Sequence, residues 1–288
     1  MTQCSVENLT VPAIGTAPSA RFWVALEQPG SWGAKAFIQS RLDPGVGAAL
    51  EKHCADASGR CLLVRDPAGH AEGAGERRVF VGGGPASAPW VATAVVQSAD
   101  DLLRWLEQTP DLDVRHAPPA WLTACEPVLL VCTNGKRDQC CAQFGGRLAR
   151  ELAADFPGRV WESTHLGGHR FAVTALRLPS RQVVARMDVD LGRAALQPGL
   201  LALDEQHDRG RSDLPDAFRA ADAWLRSSTG RTTPDAWRLS LDGDVVVAHG
   251  NDGEQRLLVR QSSDEHNLLP DSCGKVAVPV TSWTVTPI

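Results

Sequence analysis

Val128-Leu-Leu-Val-Cys132, Thr133-Asn-Gly-Lys-Arg-Asp-Gln-Cys140 and Cys141-Ala-Gln-Phe144-Gly-Gly-Arg-Leu148-Ala-Arg-Glu-Leu152 follow one another without a break. An apolar run of strand length, a polar loop, and apolar residues at i, i+4 and i+8 (Phe144, Leu148, Leu152) predict a strand feeding an amphipathic helix over residues 141–156. The strand delivers Cys132 to a loop that returns at Cys141 as the helix begins. Unpaired amides and the helix dipole favour a thiolate at that end. Lys136 and Arg137 in the loop add positive charge.

A short strand over residues 159–162 then leads into His165-Leu-Gly-Gly-His169. Four-residue spacing puts two imidazoles on one face of a helix, but Gly167-Gly168 opposes a helix. A tight loop brings both rings to one point and lets bare backbone approach a ligand. Two thiols and two imidazoles suit an iron–sulfur cluster or zinc. Structural zinc sites usually space paired cysteines by two to four residues. Eight residues separate Cys132 from Cys141, and that gap suits a wider, two-iron object.

Outward from this stretch, residues 21–26, 61–64, 78–81 and 91–96 read as strands. Residues 46–54 and 100–107 read as helices, the second capped by Ser98 or Asp100. Residues 170–178 and 183–187 read as a hairpin. Both halves thus run strand, loop, helix, strand, loop, hairpin, helix. That order predicts a duplicated α/β unit in which only the second copy kept metal-binding residues. Residues 1–20 read as an irregular arm and 66–75 as a loop. From Thr232, short strands over 236–241, 245–248 and 256–259, with Asp-Gly turns at 242–243 and 252–253, predict a small β-rich appendage. The expected division is 1–115, 116–230 and 231–288.

With 288 residues, 43% hydrophobic and 22% charged, the chain has the composition of a globular protein of about two domains. A net charge of −5 and a pI near 5.9 give no reason to expect a nucleic-acid partner. No run approaches the ~20 apolar residues needed to span a bilayer. The N-terminal residues lack a basic n-region and an apolar h-region, so a cytoplasmic location is expected. In that reducing compartment, a cluster among the eight cysteines points to metal binding or catalysis rather than to a disulfide frame.

The pattern C-x8-C followed by H-x-G-G-H resembles the sucrase/ferredoxin-like family, which includes thioredoxin-like ferredoxins whose [2Fe–2S] cluster has two Cys and two His ligands. Glu27-Gln-Pro-Gly-Ser-Trp32-Gly33, Arg209-Gly210-Arg211-Ser212 and Ser272-Cys273-Gly274 are similar to further stretches of the family. The resemblance implies two thioredoxin-like units in tandem with a C-terminal β extension. It implies Cys132, Cys141, His165 and His169 as cluster ligands. It also implies one-electron transfer, coupled to proton transfer, between a reductase donor and an unknown acceptor. Imidazoles in place of thiolates raise the potential above that of four-Cys ferredoxins, and their N–H groups give a potential that depends on pH.

Other readings stay open. A zinc-stabilised Cys2His2 module would carry no redox role. A thiol–disulfide oxidoreductase would lack the usual C-x-x-C, since Cys140-Cys141 is vicinal. A third reading makes the four residues core thiols and loop histidines that hold no metal. Cys54 and Cys61 read as core thiols, with His53 and His70 at scattered spacing. Cys4, Cys125 and Cys273 read as structural. His207 with Arg209 and Arg211 reads as a solvated loop or as a docking patch for an acidic partner.

Overall fold

A computed structural model describes residues 3–69, 75–251 and 253–288. His70 and the adjoining part of its loop, and Asp252 of the second Asp-Gly turn, lie outside the described residues. The arm at the N-terminus carries a one-turn helix, α1 (Cys4–Glu7). Strand β1 (Trp23–Glu27) is buried at all five residues, as a near-continuous apolar run is when both faces of a sheet are covered. Helix α2 (Pro44–Asp56), β2 (Arg60–Arg65), β3 (Arg77–Gly83), β4 (Trp90–Val96) and α3 (Ala99–Glu107) complete the first half.

β2 runs parallel to β1, β3 pairs antiparallel with the other edge of β1, and β4 pairs antiparallel with β3. After a two-residue strand β5 (Thr123–Ala124), the second half repeats this pattern. It comprises β6 (Val128–Cys132), α4 (Gly146–Asp155), β7 (Val160–Ser163), β8 (Ala175–Leu178), β9 (Gln182–Val184) and α5 (Val189–Ala195). β7 is parallel to β6, β8 is antiparallel to β6, and β9 is antiparallel to β8.

The halves meet where β2 pairs antiparallel with β7, through Val64 with Ser163 and Arg65 with Glu162. An Arg65–Glu162 salt bridge of 2.5 Å supports this seam. Strand β10 (Asp208–Arg211) adds to β9, so the sheet has ten strands in the order β10-β9-β8-β6-β7-β2-β1-β3-β4-β5. Successive residues part to opposite faces, as a strand's period of two requires. Val24 and Leu26 join a core with Leu50 of α2 and Leu102 of α3. Trp23 and Ala25 join a second core that runs beneath both halves and contains Cys132 and Cys141.

Helix α6 (Asp216–Thr229) does not cover this sheet's centre; its Ala220, Ala221 and Leu225 pack on the tail. The tail is a four-stranded antiparallel sheet of β11 (Arg238–Asp242), β12 (Val245–Gly250), β13 (Gly253–Pro270) and β14 (Ala277–Pro287). It exceeds the expected appendage because β13 and β14 form a long, largely exposed ribbon. β13 lacks the apolar alternation that would announce it, while β14 carries it in part, at Val278 and Val280 and at Trp283 and Val285.

The expected strand at 170–178 forms only at β8, preceded by a 3₁₀ turn at His169–Phe171. The helix expected from 141 begins as a π-helical turn over Cys141–Gly145. The wider turn shifts the helical phase, so Phe144 is exposed while Leu148 and Leu152 are buried. Ser98 does cap α3, its Oγ accepting from the Asp101 N–H at 3.1 Å. Ser98→Ala is expected to lower stability by about 1 kcal/mol, read from the urea unfolding midpoint.

Candidate metal centre

Cys132 ends β6, fully buried. Its N–H donates to the Thr174 carbonyl at 2.9 Å, which ties it to the segment leading into β8. Asn134 anchors the following loop by donating from its amide to the Gly33 carbonyl at 3.1 Å. The chain then returns to the strand end through a close approach at Gly145. A Cβ there would sit 2.3 Å from the Cys132 carbonyl oxygen, so only glycine lets the π-helical turn press Cys141 against Cys132.

On the other side, β7 ends at Ser163 and the chain turns through Gly167 (φ +79°) and Gly168 (φ +67°). Two successive left-handed residues are costly for any residue with a Cβ. This turn brings the imidazoles together, with His169 Nδ1 3.3 Å from His165 Nε2 and ring centroids 4.8 Å apart. The loop rests on Arg209 of β10. Its buried guanidinium donates to the Gly167 carbonyl at 2.8 Å, to the Thr16 carbonyl at 2.5 Å and to Thr16 Oγ1 at 3.1 Å.

All four residues singled out by spacing therefore come to one place. Ligand atoms of Cys132, Cys141 and His165 lie within 4.8 Å of one another. Cys132 Sγ is 3.9 Å from His165 Nδ1, and His169 adjoins through His165. The thiols are buried and the imidazoles half-buried, so the group runs from core to surface as thiol, thiol, imidazole, imidazole. A hydrogen bond from Cys141 holds the Cys132 sulfur well below the usual thiol range, against burial and with help from His165. The same bond, with burial, pushes Cys141 up. Burial and the neighbouring His165 push His169 down. Of the two thiols, Cys132 is thus the one favoured as thiolate, the form in which a cysteine binds a metal.

Beside His165 opens a cleft of about 380 Å³, with Lys35, Arg60, Arg137 and Glu51 among its lining. Arg209 and Arg211, beside His207, form neither a solvated loop nor a docking patch: they lie in the buried strand β10. Arg209 and Arg211 are each 2% exposed, because both guanidiniums turn inward to backbone carbonyls. His207 is bonded to Asp204 at 2.7 Å. Cys54 and Cys61 lie against the core of the first half and, among the described residues, join no group of metal-ligating side chains.

A second group went unread in the sequence. Cys4, Cys140, Cys273 and Asp138 have ligand atoms within 4.8 Å of one another. Cys140 beside Cys141 was the only hint, because the other two cysteines lie at opposite ends of the chain.

The family described as sucrase/ferredoxin-like matches residues 13–199 of the chain, more than half of its length and all four of the clustered Cys and His residues. No curated protein and no solved structure matches.

Proposed function

The chain belongs to the sucrase/ferredoxin-like family, and from that premise we propose that it is a [2Fe–2S] electron carrier with Cys132, Cys141, His165 and His169 as the ligands. The observation that carries this reading is the convergence of two thiols and two imidazoles from separate loops, ordered from core to surface. The donor set fits the cluster: thiolates are the usual ligands to iron and imidazoles replace a pair of them in Rieske-type centres. Bound there, the cluster would supply reversible uptake of a single electron.

The chain's own residues do the rest. Cys132 and Cys141 hold one end in a dry core. His165 and His169 lie on the surface side of the thiols, half-buried, with His169 Nε2 3.9 Å from Asp138 Oδ2. Arg209 fixes the loop that orients both rings. The cleft at His165, with Lys35, Arg60 and Arg137, suits the acidic face of a redox partner. The two halves, with β2-β1-β3-β4 and β7-β6-β8-β9 in matching order, support reading them as tandem thioredoxin-like units. Among the described residues, the first half carries no counterpart of the four ligands.

One observation favours a second reading. Cys132, Cys141 and His165 are close enough together to surround a single tetrahedral ion, as a zinc-stabilised module would require. Metal identity separates the two. Untagged protein purified without air is expected to be red-brown, with visible absorption and about two irons and two sulfides per chain. A colourless protein with zinc on these residues, and no colour after anaerobic reconstitution with iron and sulfide, would overturn the ferredoxin reading.

A further inference from the structure

Cys4, Cys140 and Cys273 come from three distant places: α1, the residue before the π-helical turn, and the turn between β13 and β14. Their sulfurs form a triangle with edges of 3.8 Å (Cys4–Cys140), 3.5 Å (Cys4–Cys273) and 3.3 Å (Cys140–Cys273). Asp138 closes the fourth corner, with Oδ1 3.8 Å from Cys4 Sγ and 3.3 Å from Cys273 Sγ. A tetrahedral ion with metal–sulfur bonds of about 2.3 Å sets its sulfur donors about 3.8 Å apart. The observed edges lie at that value or slightly inside it. A disulfide would need one pair at about 2.05 Å, and all three thiols are free.

The carboxylate is held in place from behind. Asp138 Oδ1 accepts the Cys140 N–H at 3.0 Å, and Oδ2 accepts the Ser272 hydroxyl and the Cys273 N–H at 2.9 Å each. Its side chain is fully buried, with His169 Nε2 3.9 Å from Oδ2. Among the described residues no Lys or Arg is paired with it. A buried carboxylate among three sulfurs is an arrangement that a cation balances.

We propose that Cys4, Cys140, Cys273 and Asp138 form a second metal centre, binding one divalent ion of the zinc class. Three sulfurs select a soft or borderline metal, and one carboxylate lies within zinc's habit. This inference is independent of what the first group holds. Cys4 and Cys273 also fall outside residues 13–199, the stretch matched by the family. The ion would tie both ends of the chain to the loop that carries Cys141. Cysteine protons would be released to solvent as the thiolates form.

The test uses the full-length chain, reduced and stripped of metal, titrated with Co²⁺ and then with Zn²⁺. In a Cys132→Ser/His165→Ala variant, which disables the first group, one Co²⁺ is expected to bind with thiolate charge-transfer and tetrahedral d–d bands, and Zn²⁺ to displace it. Adding Cys273→Ser should weaken binding by more than about 100-fold, the upper end of what losing a merely supporting partner costs. Alkylation mapped by mass spectrometry on the unmutated chain gives a second readout that does not depend on any variant folding. Zn²⁺ should protect Cys4, Cys140 and Cys273 together. Absence of the thiolate bands, unchanged affinity in the Cys273→Ser variant, or alkylation of all three cysteines at full rate with Zn²⁺ present would each overturn the proposal.

Discussion

Cys132→Ser is expected to yield a folded, colourless protein without iron or sulfide, whereas Cys140→Ser keeps both. Cys140 adjoins Cys141 in the sequence, where the eight-residue spacing favours Cys141 as the partner of Cys132. Cys141 shares the core beneath the sheet with Cys132. Cys140 faces the other way, 3.8 Å from Cys4 and 3.3 Å from Cys273. The helical step between neighbours turns their side chains about 100° apart, so one loop end serves two groups. At position 132 no other thiol can substitute, because the strand fixes the residue through its bond to Thr174. Serine preserves size and burial, and far-UV circular dichroism reports whether the fold survives. Iron and sulfide analysis then decides. Retention of iron and sulfide in Cys132→Ser would overturn its assignment as a ligand.

Local chemistry made parts of this architecture readable and long-range chemistry hid others. β6 was legible to the residue, since Val128 to Cys132 is an apolar run between Pro127 and a polar loop. The turn at His165 was legible because two adjacent glycines can hardly mean anything else. The π-helical turn was not, because its cause is a close approach between Gly145 and the Cys132 carbonyl, a contact between two elements. β10 was hidden for a different reason. Asp208, Arg209, Gly210 and Arg211 are all buried, yet they carry none of the apolar alternation by which strands are recognised. The second cysteine group depends on contacts between residues up to 269 positions apart, and no spacing rule covers that.

β10 is also where the largest effect on stability is expected. Asp208 and Arg226 are each about 1% exposed and meet at 2.5 Å. Arg226 also binds Asp222 at 2.8 Å, and Asp208 accepts from the Gln182 amide at 2.9 Å and the Gly210 N–H at 2.8 Å. Arg226→Met keeps most of the volume but leaves a buried carboxylate without its counter-charge, at a cost of about 3–5 kcal/mol. That is a large part of the roughly 5–15 kcal/mol by which a domain is stable. Burial already pushes the Asp208 carboxyl above its ordinary range, despite Arg226. Without the arginine it rises further, so between that raised value and the unfolded value near 3.9 the folded state binds more protons than the unfolded one. The variant's deficit should therefore narrow as pH falls through that window. An Asp208→Asn/Arg226→Met pair removes both charges and should recover much of the loss at neutral pH. Urea unfolding of the single and double variants across pH measures both effects; a deficit that is flat with pH and unrelieved in the pair would mean that packing, not charge, holds this corner. The consequence reaches the candidate metal centre, because Arg209 follows Asp208 directly on β10 and supports Gly167 from beneath. A strand loosened at Asp208 frees the loop that aims His165 and His169, so the single variant should also hold less iron than the double at equal folded fraction.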